Sequence, residues 1–249
     1  MVRRRGGSAH RHAGTGLLIP RRIRLPPLSS LIDMFSLAAF CDALPLLLRA
    51  SVMTLVVSAA GLLIGFFVAL LVCAARLSTK RAWRIAGTVY VRVFRGVPLL
   101  VQLLLVYYLL PFVGINAPPL VAAISAVSLC AAAYVAEILR GGFVTLPPGQ
   151  SEAAVMLGLS PMDRLWRVQI PQVMRSTLPS LVNEMVLLIK ASSLISVVGV
   201  AEVTRTAQNI AAGTYQPFEA YVAAGLIYFV ICGALALFAH SAERRLAAA

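Results

Sequence analysis

The sequence predicts an all-α, polytopic membrane protein with five transmembrane helices. Hydrophobic residues make up 60% of the 249 positions and charged residues only 12%, whereas soluble domains carry about 25% charge. Three runs of 23 to 41 residues contain no Asp, Glu, Lys or Arg, and each exceeds the roughly 18 to 20 apolar residues that a spanning helix needs. This composition argues against a soluble enzyme, a disordered chain, a secreted disulfide scaffold and a typical nucleic-acid-binding domain.

The first and last spans follow directly from two of these runs. Residues 52–75 form a run of 24 residues, and residues 220–242 form one of 23 residues. At about 1.5 Å per residue, each run covers the roughly 30 Å of the hydrocarbon core. We therefore predict one span in each.

The central run, residues 96–136, is too long for one span. Its 41 residues would extend about 60 Å as a helix, twice the hydrocarbon thickness. Residues that favour turns and break helices interrupt this run: Pro111, Gly114, Asn116, Pro118 and Pro119. The sequence thus predicts a second span over residues 88–110 and a third over residues 120–139.

The fourth span is predicted over residues 178–200 and carries ionisable side chains. Glu184 and Lys190 lie in an otherwise apolar run. A charge at bilayer depth costs about 2.5 to 3.5 kcal/mol on insertion scales, so both residues need a reason to be there.

The positions of Lys and Arg predict the orientation of the spans. Twelve of them fall on one side of the membrane: Arg76, Lys80, Arg81, Arg84, Arg92, Arg95, Arg140, Arg164, Arg167, Arg175, Arg244 and Arg245. Apart from the N-terminal tail, the other side carries only Arg205. The side of the membrane that carries these twelve basic residues is therefore predicted to be the cytoplasmic side. Together with the tail they explain the net charge of +13 without nucleic acid as a partner.

Residues 1–43 form a basic N-terminal extension, which this orientation places outside the cytoplasm. Eight arginines precede the first span and conflict with the positive-inside rule. A translation start at Met34 or a disordered extension would explain them, as would a sixth span over residues 28–48, although the acidic residues and proline there favour an interfacial segment. The membrane domain is expected over residues 44–246.

The cytoplasmic segment near residues 140–178 is far longer than the other connections, and long loops in compact proteins are usually functional. Ser151 can cap a helix whose first turn contains Glu152. Gly158 can then turn the chain, and a second helix begins with Pro161 in its first turn. We expect two short helices at an angle. Their exposed basic face, suited to docking on a partner, comprises Arg164, Trp166 and Arg167.

A motif of fixed spacing lies in this segment. It consists of Glu152-Ala153-Ala154, three residues, Gly158, nine residues and Val168-Gln169-Ile170-Pro171. The pattern resembles the signature of ABC importer permeases. Further blocks resemble the polar amino-acid subgroup, of the histidine, glutamine, arginine and opine type, and they lie at residues 95–102, 133–142, 190–194 and 204–208. The resemblance covers about residues 44–246 and implies the type I ABC importer permease fold.

The resemblance also implies a non-catalytic permease subunit that translocates polar amino acids or derivatives across the bacterial inner membrane, surrounded by lipid. Its implied partners are a second permease subunit (a copy or a relative), ABC ATPase subunits and a periplasmic substrate-binding protein. The chain has no GxxxxGK[ST] phosphate loop, so the partner would use the ATP and this chain needs no cofactor. The implied ATPase-coupling residues are Glu152, Ala153, Ala154, Gly158, Val168, Ile170 and Pro171.

Span four supplies the candidates for the translocation path. Asn183, Leu187 and Lys190 recur at spacings of four and three, which places them on one helical face, whereas Glu184 and Lys190 do not share a face. The polar strip continues with serines, and the full set of candidates is Asn183, Glu184, Lys190, Ser192 and Ser193.

Two interpretations of these polar residues stay open. In one, Asn183, Glu184 and the serines contact a zwitterionic substrate. In the other, Lys190 snorkels or pairs with Glu184 of a neighbouring helix. The family's matching segment is Lys-Asp-Thr-Ser-Leu, and here Ala191 replaces its acidic residue, so one partner for Lys190 is missing.

Three more features have structural interpretations. Glu137 and Arg140 can form an i, i+3 pair. Arg95 is expected to anchor the entry to span two in the headgroups, with Pro98 in the first turn. The connection over residues 204–215 is either a docking surface for the binding protein or a plain solvated loop.

The rival function is a stand-alone secondary transporter or channel. Such folds usually show internal repeats or broken-helix pairs, and five spans with one long loop do not. No paired carboxylates, His cluster or GxSxG motif stand at catalytic spacing, and the four cysteines are isolated. We therefore predict neither a catalytic site nor a metal site.

Overall fold

The computed structural model describes residues 35–247, with side chains as far as Ser241, and every regular element in that range is helical. The α-helices in chain order are α1 (Leu37–Leu77), α2 (Arg81–Gly96), α3 (Leu99–Phe112), α4 (Pro119–Val144), α5 (Pro148–Met156), α6 (Pro161–Asp163), α7 (Ile170–Ala191), α8 (Val203–Thr214) and α9 (Pro217–Ala247). A π-helix, Arg164–Gln169, joins α6 to α7, and a 3₁₀-helix, Ser192–Val198, follows α7. The all-α prediction is confirmed.

Four helical stretches are long and apolar enough to cross a membrane. They are Leu37–Leu77, Pro119–Val144, Pro161–Val198 and Pro217–Ser241. The bent pair α2 and α3 adds a fifth crossing if it is counted as one span. The five predicted spans therefore all have a helical counterpart, and the second is the one whose form differs.

A sharp bend divides the second predicted span, residues 88–110, into two helices. Helix α2 ends at Gly96, α3 starts at Leu99, and their axes meet at 106°. The cause is Pro98, which disfavours helical geometry in the residue before it. Val97 accordingly has the extended angles φ −100° and ψ 133°.

Helix α1 starts much earlier than the predicted span over residues 52–75. Residues 37–48, expected to be interfacial or part of a sixth span, form its first turns instead, and Pro45 lies inside the helix. Ser36 caps the helix by accepting a hydrogen bond from the backbone N–H of Ala39. The expected boundary between residues 43 and 44 thus falls within α1. Residues 1–34, with the proposed start at Met34, lie outside the described residues.

The fourth predicted span is also longer at its start. Helix α7 begins at Ile170 rather than near residue 178, and the 3₁₀-helix continues it to Val198. The chain then turns at Gly199, whose φ of +86° lies in the left-handed region. The segment outside α4 and α7 is therefore residues 145–169, shorter than the predicted 140–178.

The bundle core is built on close contact between α1 and α4. Alanines on α4 and glycines on α1 let the two backbones approach, as small residues do in membrane bundles. A Cβ atom at Gly65 would lie only 2.8 Å from the carbonyl oxygen of Ser128. Buried side chains from α3, α7 and the 3₁₀-helix, including Leu103, Leu188 and Ile195, complete this core.

A second core connects the start of α1 to the last two helices. Leu47 of α1 packs with Val203 of α8 and Ile227 of α9, and these side chains are buried. The bundle is therefore closed at this end by α8, which lies between the last two spans in sequence.

Candidate functional site

The segment that joins α4 to α7, residues 145–169, presents a short helix with an exposed apolar tip. Helix α5 begins with Pro148 after the extended Pro147. At its other end the side chains of Met156 and Leu157 are 86% and 81% exposed. Neither residue was among the predicted coupling residues, although the apolar side chains that follow the Glu-Ala-Ala motif were visible in the sequence.

Ser151 does not cap this helix, contrary to the prediction. The pair of prolines starts α5 at Pro148, four residues before Glu152, because proline is well suited to the first helical position. Ser151 is therefore an interior residue of α5, and its Oγ accepts a hydrogen bond from Nε2 of Gln169 over 3.0 Å. This bond joins α5 to the π-helix.

Gly158 ends α5 in the left-handed conformation, as its predicted turning role requires. Its φ is +76°. The N–H of Leu159 bonds to the carbonyl of Ala154 over 3.0 Å, and the N–H of Gly158 bonds to the carbonyl of Val155 over 2.9 Å. These two bonds form a Schellman motif, in which glycine at this position avoids a clash of its Cβ.

The second predicted helix exists only as the start of α7. Ser160 caps it by accepting a hydrogen bond from the backbone N–H of Asp163 over 3.1 Å, and Pro161 occupies the first turn. After three residues the chain enters the π-helix and then α7 without a break. The expected pair of separate short helices is thus one short helix and a long one.

The motif residues of this segment differ in exposure. Glu152, Ala153 and Pro171 are exposed, Val168 and Ile170 are half-buried, and Ala154 is 3% exposed. The predicted basic face is only partly exposed. Trp166 and Arg167 are exposed, Arg167 pairs with Asp163 over 3.1 Å, and Arg164 is half-buried.

A cavity of about 490 Å³ brings together two of the predicted path residues, Asn183 and Glu184. Arg95 also lines it, and its guanidinium lies 5.2 Å from the centre of the Tyr134 ring. Arg95 was predicted to anchor the entry to span two in the headgroups. It lies at the end of α2, beside the bend, and lines this cavity together with residues of α4 and α7.

A neighbouring cavity of about 460 Å³ shares Arg95, Tyr134 and Glu184 with the first. Glu184 is 8% exposed, so a buried carboxylate and a guanidinium face the same pair of cavities. Opposite charges in one recess can bind a molecule that carries both charges. Within the described residues, no group of three or more His, Cys, Asp and Glu side chains is placed to hold a metal ion.

The structure does not bring the other path candidates to these cavities. Lys190 lines a separate cavity of about 510 Å³ with Val186 and residues of α9, including Tyr228. Ser192 and Ser193 donate their hydroxyl hydrogen bonds to backbone carbonyls one turn earlier, over 2.7 and 2.8 Å. The prediction that Glu184 and Lys190 lie on different faces of the helix is confirmed.

The predicted pair between Glu137 and Arg140 is present, and a second arginine joins it. Nε of Arg140 donates to Oε1 of Glu137 over 3.0 Å, and Arg76 of α1 contacts the other carboxylate oxygen. Glu137 also lines the cavity of Asn183. The ion cluster therefore connects α1 and α4 beside the candidate path.

The expected loop over residues 204–215 is a helix. Glu202 caps α8 by accepting hydrogen bonds from the backbone N–H groups of Thr204 and Arg205, both over 2.8 Å. The Tyr228 hydroxyl of α9 donates to the same carboxylate over 2.8 Å. Burial raises the pKa of the Glu202 carboxyl despite these bonds. Tyr215 ends the helix, 89% exposed, with a positive φ of 58°.

Residues 61–248 match the protein family described as binding-protein-dependent transport system inner membrane component. The chain is 41% identical to the L-cystine transport system permease protein TcyB of Bacillus subtilis over 183 residues, which cover 73% of this chain and 78% of that protein. It is 36% identical to the glutamine transport system permease protein GlnP of Escherichia coli K12 over 216 residues, covering 85% and 98%.

Solved structures give the same result for the fold. The crystal structure of an amino acid ABC transporter with histidines matches with a TM-score of 0.76 and 35% identity, covering 89% of this chain and 99% of that chain. The inward-facing MetNI methionine ABC transporter matches with a TM-score of 0.66 at 18% identity, covering 81% and 96%. The second likeness concerns the fold alone.

Proposed function

The chain belongs to the family of binding-protein-dependent transport system inner membrane components, and we propose that it is the permease subunit of an ATP-driven importer for polar amino acids or their derivatives. The observation that carries this proposal is the exposed apolar tip of α5 in front of the Gly158 turn. A stand-alone transporter would have no use for such a tip on the cytoplasmic side. The relatives, named for cystine and glutamine transport, support amino acids as the substrate class.

The tip of α5 docks on an ABC ATPase subunit. Met156 and Leu157 expose apolar side chains that an aqueous environment disfavours and a protein interface buries. This chain lacks a phosphate loop of its own, so the partner hydrolyses the ATP. Glu152, Ala153, Gly158 and the Val168 to Pro171 stretch fix the shape and attachment of the docked helix.

The substrate passes along α7, between this subunit and a second permease subunit that is a copy or a relative. Polar or long side chains at spacings of four and three form an exposed stripe on α7, and this stripe suits a pathway better than lipid. Its members are Ser176, Ser180, Asn183, Leu187 and Lys190. Glu184 and Arg95 line the recess beside it, where they bind the ammonium and carboxylate groups of a zwitterion.

The remaining parts of the importer follow from this arrangement. The chain spans the bacterial inner membrane, with the twelve basic positions on the cytoplasmic side. A periplasmic substrate-binding protein docks at the opposite end of the bundle, where α8 ends at the exposed Tyr215.

The test is a pull-down of the tagged chain from native membranes, with mass spectrometry of the co-purifying proteins and an ATPase assay. Wild type is expected to capture an ATPase subunit, and Met156→Asp to lose it. Val113→Asp is the matched control, because Val113 is 69% exposed at the opposite end of the membrane spans. A wild-type chain that purifies without an ATPase and still moves solute in vesicles would establish a stand-alone transporter instead.

A further inference from the structure

An apolar cavity of about 550 Å³ lies between α1, α4, the π-helix and α7, apart from the candidate translocation path. Three aromatic side chains and several aliphatic side chains line it, with Gln169 as the one amide. The larger side chains in this lining include Phe66, Leu70, Leu77, Phe143, Trp166 and Met174. Its volume lies within the roughly 300 to 1,000 Å³ typical of sites for small ligands.

The cavity is as long as one leaflet of a bilayer. Along α1 it extends from Phe66 to Leu77, which at about 1.5 Å per residue is about 16 Å. One leaflet contributes about half of the roughly 30 Å hydrocarbon core. The cavity lies at the end of α1 that the positive-inside rule assigns to the cytoplasm, so it faces the cytoplasmic leaflet.

Three arginines are direct sequence neighbours of residues that line this cavity. Arg76 precedes the lining residue Leu77, Arg140 follows the lining residue Leu139, and Arg164 precedes the lining residue Leu165. Glu137 forms ion pairs with Arg76 and Arg140, and its single negative charge offsets one of their two positive charges. The local charge is therefore positive, which is complementary to an anionic headgroup.

Arg164, unlike the other two arginines, does not pair with Glu137, and it has unused hydrogen-bonding capacity. It is half-buried, and its Nε is buried without a hydrogen-bond acceptor in the part of the chain that the structure describes. A buried donor of a charged group is costly to leave unmatched. Arg164 opens the π-helix, a conformation that is often found at functional sites.

Trp166 completes a lipid-binding arrangement. It lines the cavity and is 62% exposed, and tryptophan prefers the boundary between hydrocarbon and headgroups. The same segment thus carries an apolar wall, an interfacial indole and an unmatched guanidinium. An acyl chain needs a cavity as long as one leaflet, whereas a protein partner does not.

We propose that this cavity binds one acyl chain of an anionic phospholipid from the cytoplasmic leaflet, with the lipid phosphate against Arg164. The lipid then fills the space between α1 and the start of α7 and meets the π-helix that leads to α5. The proposed lipid site rests on the placement of this cavity in the membrane and not on the identity of the transported substrate. Lipid binding can therefore be tested without measuring import.

Tryptophan fluorescence tests the site directly, since the chain has two tryptophans. Trp83→Phe leaves Trp166 as the reporter. The full chain is reconstituted in phosphatidylcholine vesicles that contain brominated phosphatidylglycerol or brominated phosphatidylcholine, whose bromines quench a touching indole. Half-maximal quenching is expected at a several-fold lower fraction of the anionic lipid. Arg164→Gln is expected to reduce that preference about fivefold, as one lost arginine near anionic lipid predicts, and Arg164→Lys to retain most of it.

A second variant tests the acyl slot without touching charge. Ala74 lines the cavity, so Ala74→Phe is expected to fill it and reduce quenching by both lipids. Ala59→Phe, exposed on the same helix outside the lining, is the matched control. Equal quenching by the two lipids, or a preference that survives both Arg164→Gln and Ala74→Phe, would overturn the proposal. Loss of quenching when ATPase subunits are added would show that a protein covers this face instead.

Discussion

Gln169 and Ser151 are joined by a hydrogen bond of 3.0 Å, in which the amide of the π-helix donates to the hydroxyl of α5. The two residues are 18 positions apart, and Gly158 turns the chain between them. Helix α5 is thus fixed to the start of α7, and α7 carries Asn183 and Glu184. In the proposed importer, a displacement of α5 by a docked ATPase would therefore be passed to the helix that lines the proposed path.

Ser151→Ala is expected to weaken this transmission. The partly buried amide of Gln169 would lose its acceptor, at a cost of about 1 kcal/mol, and the substrate moved per ATP would fall by up to about fivefold. The measurement is uptake and ATP hydrolysis by the same reconstituted complex. Ser151→Thr, which keeps the hydroxyl, should behave like wild type. An unchanged coupling ratio in Ser151→Ala would remove this bond from the mechanism.

Gly158→Ala is expected to destabilise the end of α5. An L-residue at a φ of +76° costs about 1 to 2 kcal/mol, so capture of the ATPase should weaken by about five- to thirtyfold. Gly158→Asn should lose less, because asparagine tolerates this region. Gly149→Ala is the matched control inside α5, since an added Cβ there meets nothing within 4 Å. Equal capture by the two alanine variants would contradict the prediction.

The turn at Gly158 was predictable from the sequence, and the helix start before it was not. A glycine after the Glu-Ala-Ala motif, followed by Ser160-Pro161, indicates a stop and a new start. Two residue preferences conflict at the start of α5: serine favours the cap position, and proline favours the first turn. The prolines prevailed, because Pro148 begins the helix and leaves Ser151 in its interior. Spacing alone did not reveal that Ser151 meets Gln169.

Glu184→Gln is expected to lower uptake by about tenfold or more, as loss of a charged hydrogen bond of about 1.5 to 3 kcal/mol predicts. The physical reason is that the recess would keep the positive Arg95 without its negative counterpart. Uptake of labelled amino acid in vesicles is the measurement, at matched amounts of assembled complex. Glu219→Gln is the control, because that buried carboxylate bonds the backbone of Ser36 instead. Full uptake by Glu184→Gln would take this carboxylate out of the path.

Gly65→Ala is expected to destabilise the contact between α1 and α4. The added Cβ would lie 2.8 Å from the Ser128 carbonyl oxygen and 3.2 Å from the backbone nitrogen of Ala132. Backbone atoms cannot move aside as a side chain can, so a cost of about 1 to 3 kcal/mol follows. Thermal unfolding in detergent measures it, with Gly213→Ala as control since nothing lies within 4 Å there. Identical melting temperatures would mean that the two helices can separate without cost.

Glu202 is expected to give the unfolding free energy a distinct pH dependence. Burial raises the pKa of this carboxyl, which lies between the spans. Between the ordinary and the raised pKa the native state binds more protons than the unfolded state, so stability falls as the pH rises through that window. Glu202→Gln should flatten the slope. Melting temperatures in detergent, measured at pH steps upward from about 4, provide the test. Parallel curves for both proteins would assign the slope to another group.

The path residues illustrate the limit of helical periodicity. It correctly separated Glu184 from Lys190, because 100° per residue fixes their relative direction on α7. It could not place Arg95 beside Glu184, since that neighbourhood depends on the 106° bend between α2 and α3. A proline in an apolar run indicates a break, but the direction taken after the break depends on packing against other helices.

Helix α1 is much longer than the layer it crosses. Its 41 residues extend about 60 Å, against a hydrocarbon core of roughly 30 Å. A rod pivoting at the bilayer centre by about 10° moves each tip by about 5 Å. Because α1 packs along α4 and its first turns pack against α8 and α9, a small tilt of α1 about the bilayer centre would be magnified into a displacement of α8 and α9 at its far end.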